Sequence, residues 1–301
     1  MEVALFTLFP VLAAVGASAG WATGSALAQY PARQLGAFEF TRIQLLTCGA
    51  LLWFLSAVFG LWPSINWAHW PEFVLSSLVG IILGNLAMIE LLRQAGPRLT
   101  ELLMCLKAPI VAVLAFIWFD EVLNPAQVLG GALVIVGVIL AIGRSHGRDG
   151  LALRGLRSSL WIAFLGLSAA AFQGVGFLAV KPALEAGAEP LAIGAIRLSM
   201  AAAIISLIAL WPATLFRPHS GTTPYLLLRT VLPGVIGYGL STSLLLYAYA
   251  NMEAGLAMVL GSLSPILIIP VLWLRDGQLP NTNGVTGAGL AICGIALIAL
   301  Q

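Results

Sequence analysis

Three ionisable residues lie within apolar stretches of the sequence, where a charge is costly unless it has a partner or a use. Lys107 stands about ten residues into an apolar segment, a depth of roughly 15 Å at about 1.5 Å per helical residue. Glu101 and Glu90 precede it along the chain. Because a lysine can hold a carboxylate and a glutamate can hold an amine, we expect all three residues to line a path for a small polar molecule.

Each of these charges also has a structural interpretation. Lys107 can pair with a polar group of a neighbouring helix. Glu101 lies in the first turn of its segment, where a carboxylate is favoured, and Arg98 is near it. Glu90 is three residues from Arg93, so a local ion pair would satisfy its carboxylate.

Several uncharged residues lie at comparable depth in other apolar segments, and we expect them to line the same cavity. Their alternative role is structural, because hydroxyl and amide side chains commonly form hydrogen bonds between membrane helices and an indole ring can face lipid. The candidates are Asn85, Tyr238, Gln173, Trp21, Ser241 and Ser243.

The composition indicates that this chain folds in lipid. Of its 301 residues, 60% are hydrophobic and 9% are charged, against about 25% charged in a typical soluble domain. The mean hydropathy is +1.01. The net charge is only +2 and no basic stretch is interleaved with aromatic residues, so nucleic-acid binding is not expected.

The residue types that metal centres and catalytic sites need are scattered. The three cysteines lie inside apolar runs, the three histidines fall in connecting segments, and no Cys or His pair has zinc spacing. Neither an HExxH nor a Walker motif is present. We therefore expect no metal, no cofactor, no catalytic residue and no use of ATP, since an intramembrane enzyme would need such a motif or Ser and His at matching depth.

Apolar runs between Pro, Gly and charged residues predict ten membrane-spanning helices, each near the length of about 20 residues that a bilayer requires. The first run has no positive N-terminal region, so we expect a retained helix and not a cleaved signal peptide. No connection is long enough to form a soluble domain. The approximate limits are 4–28, 36–60, 71–92, 97–118, 124–143, 159–180, 190–210, 229–249, 255–274 and 282–300.

The two halves of the chain resemble each other. The spacing of small residues around Gly16, Gly20 and Gly24 returns around Gly166 and Gly174 in the sixth segment. Because each half has an odd number of spans, the second half must enter the membrane upside down relative to the first. We therefore expect an all-α integral membrane protein of ten transmembrane helices in two inverted five-helix repeats. These would be residues 1–143 and 159–301, joined by a cytoplasmic loop of residues 144–158.

The glycine-rich helices have a further consequence for packing. Stripes of small residues let helix backbones approach closely. The first helix has such a stripe, and the fifth and tenth helices are rich in glycine. We expect these helices to pack closely, either within the molecule or between the two copies of a homodimer.

The distribution of basic residues predicts the orientation. If the N-terminus is outside, Lys181 is the one basic residue expected in the outer connections, while ten arginines fall on the cytoplasmic side. We expect both termini on the periplasmic side of a bacterial inner membrane. Arg42 and Arg197 would extend to the cytoplasmic face, or else form a pair or bind. The ten arginines are Arg33, Arg93, Arg98, Arg144, Arg148, Arg154, Arg157, Arg217, Arg229 and Arg275.

A recurring pattern closes each half: a small residue and proline, then an acidic residue, then a glycine-rich helix. The residues are Ala108-Pro109, Phe119-Asp120-Glu121, Gly130-Gly131-Ala132-Leu133 and Gly137 in the first half, and Ser264-Pro265, Asp276 and Gly287-Ala288-Gly289-Leu290 in the second. These stretches resemble the EamA branch of the drug/metabolite transporter superfamily, and the resemblance covers nearly the whole chain.

The resemblance implies a ten-helix basket that exports small metabolites, and within the branch the chain most resembles bacterial exporters of aromatic amino acids. Members move amino acids, nucleotide sugars, sugar phosphates and cations, so the resemblance does not fix the substrate. Gly277 stands where the first half has Glu121. That acidic residue is therefore expected to be structural or topological and not a required ligand.

These observations together predict a secondary transporter of aromatic and other neutral amino acids that works by alternating access as a facilitator. Small cation exporters of the superfamily use a carboxylate in their first helix, and here that helix has none beyond Glu2. Glu90 or Glu101 could still carry a proton. The alternatives are a multidrug or cation exporter, in which Lys107 would repel the substrate, and a non-transporting membrane scaffold, which leaves the cost of burying Lys107 unexplained.

Overall fold

The structure is a computed structural model that describes residues 2–119, 125–143, 156–211, 221, 223–251, 260–261, 263–277 and 282–299. Every regular element within these ranges is a helix. In chain order the helices are α1 (Glu2–Leu35), α2 (Ala37–Val58), α3 (Trp70–Leu75), α4 (Gly84–Ala95), α5 (Pro97–Met104), α6 (Lys107–Phe119), α7 (Pro125–Gly143), α8 (Leu156–Ala179), α9 (Lys181–Glu185), α10 (Pro190–Ala209), α11 (Pro224–Gly234), α12 (Thr242–Asn251), α13 (Ser264–Asp276) and α14 (Thr282–Ala299).

Many of these helices are long and apolar enough to cross a bilayer, as the composition predicts. Each of the ten predicted segments contains helix within the described ranges. Among the described residues, six stretches qualify as membrane spans by length and composition. They are Phe9–Leu35, Ala37–Val58, Trp67–Ala95, Pro97–Trp118, Ser158–Glu185 and Pro190–Ala209. The chain is therefore a multi-pass membrane protein whose described part is all helical.

Glycines set two helix ends that the apolar pattern placed less accurately. The first helix was predicted to end near residue 28, but α1 continues to Leu35. It ends where Gly36 adopts a φ of 85°, a value that residues with a Cβ rarely take. Gly96, with a φ of 82°, separates α4 from α5 in the same way. Polar residues alone do not end a helix, because their side chains can reach the interface.

Two π-helical segments, Ser76–Leu83 and Val235–Ser241, lead into α4 and α12. The wider turns of such segments change the direction in which the following side chains point, and they often occur at functional sites. Asn85 is the second residue after the first segment, and Tyr238 lies within the second segment.

The glycine stripes pack helices closely within the molecule. A Cβ placed on Gly137 of α7 would lie 2.6 Å from the carbonyl oxygen of Gly287 in α14, so these two helices meet backbone to backbone. Gly80 and Gly176 form a similar crossing between the first π-helical segment and α8. In the first helix, Gly24 faces the backbone of α11. Close packing inside one chain therefore accounts for Gly137 of α7 and Gly294 of α14, whereas Gly289 of α14 has no neighbour within 4 Å.

Candidate functional site

Four polar side chains form a continuous chain of hydrogen bonds between helices of the two halves. Lys107 Nζ donates to Gln173 Oε1 at 3.1 Å, and Gln173 Nε2 donates to Asn85 Oδ1 at 3.3 Å. Asn85 Nδ2 in turn donates to the hydroxyl of Tyr238. Gln173 Nε2 also contacts Met88 Sδ at 3.4 Å. The structure thus brings together four of the nine residues that the sequence singled out.

A break between helices α5 and α6 places Lys107 at this chain of hydrogen bonds. Helix α5 ends at Met104, and α6 begins at Lys107 itself. Pro109 has no N–H to donate to the Cys105 carbonyl, and Ala108 N donates to that oxygen instead at 3.2 Å. The lysine therefore lies at the first residue of a new helix, in the middle of an apolar segment.

Glycine and π-helical geometry bring the amide groups together. A Cβ on Gly84 would lie 2.8 Å from Cγ of Gln173, so the absence of a side chain there lets Gln173 approach α4. Asn85 is the next residue and is only 4% exposed. A buried amide needs hydrogen-bond partners, and Gln173 and Tyr238 provide them for Asn85.

An aromatic ring with two cations lies beside the polar chain. Lys107 Nζ is 5.3 Å from the centroid of the Phe177 ring, and Arg197 Cζ is 5.4 Å from the same centroid. Both distances are within the range of a cation–π interaction. Arg197 is 9% exposed, and its Nε has no hydrogen-bond partner among the described residues.

The sequence interpretation missed Arg197 and Phe177 as site residues. We expected Arg197 to extend to the cytoplasmic face, or else to form a pair or bind, and the structure buries it beside Phe177 in the interior of α10. One signal was available, because Arg197 is the only charged residue of that helix. Phe177 had no such signal, since phenylalanine is common in every apolar segment.

Glu101 lies near the polar chain but has partners of its own. Ser25 Oγ of α1 donates to Glu101 Oε1, and the Ser264 hydroxyl of α13 also hydrogen-bonds to this carboxylate. Glu101 is 8% exposed. Its carboxylate therefore joins α5 to two other helices, and within the described residues it forms no ion pair with Lys107.

The structure does not bring Glu90 into the polar chain. Arg93 Nη1 forms an ion pair with Glu90 Oε2, and Gln94 Nε2 donates to Glu90 Oε1 at 2.6 Å. This is the local pairing that the spacing of Glu90 and Arg93 allows. A carboxylate with two such partners is held on its own helix.

Two of the remaining candidates lie in the second π-helical segment and α12, and the third lies in α1. Ser241 is fully buried and donates to the Ile236 carbonyl at 2.8 Å, and Ser243 donates to the Gly239 carbonyl at 2.6 Å. Both hydroxyls therefore bond within their own helical segment. Trp21 is half-buried in α1 and lies close to Gly237. None of the three joins the chain of hydrogen bonds around Lys107.

Comparison with known proteins gives two similarities. A "Probable terminal-alkyne amino-acid exporter" of Streptantibioticus cattleyicolor is 29% identical over 211 residues, which are 67% of this chain and 64% of that protein. The chain thus spans just under two thirds of the relative's length. A protein of known crystal structure has a TM-score of 0.69 at 20% identity, covering 97% of this chain and 96% of that one. This second likeness concerns the fold alone.

A family model matches most of the sequence. The model of the "EamA-like transporter family" matches residues 8–143 and 160–300. These ranges include every helix that contributes to the polar chain. The apolar helices of the structure agree with a transporter that moves a small molecule across a bilayer. The chain therefore belongs to the EamA-like transporter family, a part of the drug/metabolite transporter superfamily.

Proposed function

We propose that this protein is a secondary transporter that exports amino acids, with aromatic and other neutral ones as the leading class. The observation that carries the proposal is the chain of hydrogen bonds from Lys107 through Gln173 and Asn85 to Tyr238. It links residues 85 and 107 to residues 173 and 238, which belong to different halves of the sequence. A site held by both halves is what alternating access requires.

The arrangement that we propose has ten membrane-crossing helices in two inverted repeats, residues 1–143 and 159–301. The two stretches that the family model matches, 8–143 and 160–300, coincide with these halves and support the division. Following the distribution of arginines, we place both termini on the periplasmic side of a bacterial inner membrane and the loop of residues 144–158 in the cytoplasm.

The site offers complementary groups for a zwitterion. Lys107 is a donor for the carboxylate, and the amide oxygens of Asn85 and Gln173 are acceptors for the amine. Phe177 and Tyr238 provide aromatic surface for a side chain. The amino-acid exporter to which the chain is similar supports the substrate class.

We propose facilitated diffusion as the mode of transport. In α1, the helix in which small cation exporters of the superfamily have their carboxylate, the only acidic residue is Glu2 at its start. Glu101 accepts hydrogen bonds from two serines and Glu90 is paired with Arg93, so both carboxylates have fixed structural partners. Because neither carboxylate is then available to carry a proton, we expect transport that needs no proton gradient.

The test is time-resolved uptake of labelled tryptophan, phenylalanine and threonine into proteoliposomes, with and without a pH gradient. We expect saturable uptake without the gradient and at least a tenfold loss in Lys107→Ala and Asn85→Ala. Lys181→Ala is the matched control, because Lys181 pairs with Glu185 at 3.8 Å outside the site. Normal uptake by both site variants would refute the proposed site.

A multidrug or cation exporter of the same family would behave differently in this experiment. It would take up an organic cation and not the amino acids, and removal of the Lys107 charge would raise the rate because a repulsion is lost. A non-transporting scaffold would show no uptake of either class. Uptake of amino acids only in the presence of the pH gradient would support the proposed substrate class but contradict facilitated diffusion.

A further inference from the structure

Two cations, the half-buried Lys107 and the buried Arg197, share one aromatic ring. Lys107 of α6 and Arg197 of α10 lie 5.3 Å and 5.4 Å from the centroid of Phe177. In the described part of the chain, no carboxylate lies within ion-pair distance of either of them. Lys107 donates to the neutral amide of Gln173, and Arg197 retains an Nε without a hydrogen-bond partner.

This arrangement is costly for the protein alone. A buried charge is normally paired and hydrogen-bonded, because removal from water costs several kcal/mol that only a partner can offset. Glu101, a carboxylate that interacts electrostatically with Lys107, is held by the hydroxyls of Ser25 and Ser264. Counting formal charges, two cations face one carboxylate. The region therefore has an excess of positive charge.

The shape of the two cations adds a chemical preference. A guanidinium presents planar, parallel N–H donors that match the two oxygens of a carboxylate, and a lysine ammonium adds a compact point charge. Phe177 is 54% exposed as a residue, so its ring is not enclosed by protein. Its surface, flanked by two donors, suits a planar anionic group.

We propose that Lys107, Phe177 and Arg197 form an anion subsite that binds the carboxylate of the transported molecule and selects against organic cations. The proposal rests on the proposed function and deepens it, since it assigns the carboxylate to a pair of cations contributed by both halves. Arg197 becomes a specificity-determining residue. Amines without a carboxylate are rejected because they meet a net positive charge.

The test is equilibrium binding by titration calorimetry on the purified full-length protein in lipid nanodiscs. Three probes differ only in their charged groups: phenylalanine, 3-phenylpropionate without the amine, and phenylalaninamide without the carboxylate. The variants are Arg197→Gln, Arg197→Lys and Lys107→Gln. Arg229→Gln is the matched control. Arg229 is an exposed arginine that lies against the rings of Tyr30 and Tyr225 and not against Phe177.

We expect the unaltered protein to bind phenylalanine and 3-phenylpropionate at least tenfold more tightly than phenylalaninamide. Arg197→Gln and Lys107→Gln should each weaken the two carboxylate probes by about tenfold to a hundredfold, the usual effect of a lost charge-assisted hydrogen bond. Neither should weaken phenylalaninamide. Arg197→Lys should keep part of the affinity, and Arg229→Gln should keep all of it.

The outcomes separate the subsite from the proposed function. If folded Arg197→Gln and Lys107→Gln bind phenylalanine as the unaltered protein does, the subsite is refuted while amino-acid transport stands. If 3-phenylpropionate binds in an Arg197-dependent manner but no amino acid binds, the subsite stands and the proposed substrate is wrong. Should Arg197→Gln not fold, Arg197→Lys and Lys107→Gln decide, and unchanged affinity in both would overturn the proposal.

Discussion

Helices α2 and α10 each contain one arginine, and the two arginines have opposite surroundings. In α2, Arg42 donates through Nε and Nη2 to both oxygens of Glu39 at 2.7 and 2.6 Å. In α10, the residue three positions before Arg197 is Gly194, so the equivalent carboxylate does not exist. The first arginine is neutralised on its own helix, whereas the second is buried beside Phe177.

In the two-repeat arrangement that we propose, this difference makes the charge of the site asymmetric. Leu263 of the second half corresponds to Lys107 in that arrangement, so the first half supplies a cation there and the second does not. For the two arginines the second half supplies the unpaired cation, because Arg42 has Glu39 as its counter-ion and Arg197 has none among the described residues. Each half thus contributes one cation from a different helix, and the amide chain connects them.

The largest effect should come from giving α10 the counter-ion that α2 has. In Gly194→Glu, a carboxylate three residues before Arg197 should pair with it as Glu39 does with Arg42. A Cβ at Gly194 would meet the Leu52 side chain at an ordinary 3.5 Å, so a side chain can start there. We expect phenylalanine affinity, measured by titration calorimetry, to fall at least tenfold, since the cation is neutralised.

Gly194→Gln is the control for this change, because it has nearly the same size and no charge. It should lower the affinity much less than Gly194→Glu. Equal losses in the two variants would mean that bulk at residue 194, and not the charge of Arg197, governs binding.

An intermediate effect, on stability and not on transport, should follow from Arg42→Gln. The Glu39 side chain is 7% exposed, and the variant leaves this buried carboxylate without its bidentate partner. We expect a loss of about 1–3 kcal/mol in the free energy of unfolding, measured by denaturant titration in detergent. Uptake of phenylalanine should be retained. A loss of substrate affinity like that of Arg197→Gln would contradict the contrast between the two arginines.

The smallest effect should come from Glu39→Gln. Here the charge left behind is that of Arg42, whose side chain is 30% exposed and can reach water or lipid headgroups. We expect a cost below about 1 kcal/mol in the free energy of unfolding, as for partly exposed ion pairs. The double variant should cost less than the two single losses added together. A larger loss of unfolding free energy in Glu39→Gln than in Arg42→Gln would contradict the claim that Glu39 is the more buried partner of the pair.

Much of the fold could be predicted from the sequence, because the pattern of apolar runs and breaks has direct physical causes. Described helix occurs in every segment that the pattern indicated, and Gly137 of α7 and Gly294 of α14 pack closely as expected. Exact ends were less predictable: α1 continues past Pro31 to Gly36. The π-helical segments have no sequence signature and could not be foreseen.

The site was predictable where burial of a polar group is itself the signal. Lys107, Asn85, Gln173 and Tyr238 meet as the sequence suggested. Lateral contacts between helices were not predictable, because a sequence does not state which faces meet. For that reason Ser25 and Ser264 were not expected as partners of Glu101. Burial of Arg197 depends on the same contacts, so its position beside Phe177 could not be predicted from the sequence.

The most direct test of the account is the initial rate of labelled phenylalanine uptake by proteoliposomes that contain the unaltered protein, Arg197→Gln or Arg42→Gln. All three should be present at equal reconstituted amounts. The account predicts saturable uptake by the unaltered protein and by Arg42→Gln, with at least a tenfold lower rate in Arg197→Gln at subsaturating substrate. Equal rates in the two arginine variants, or no saturable uptake by the unaltered protein, would contradict it.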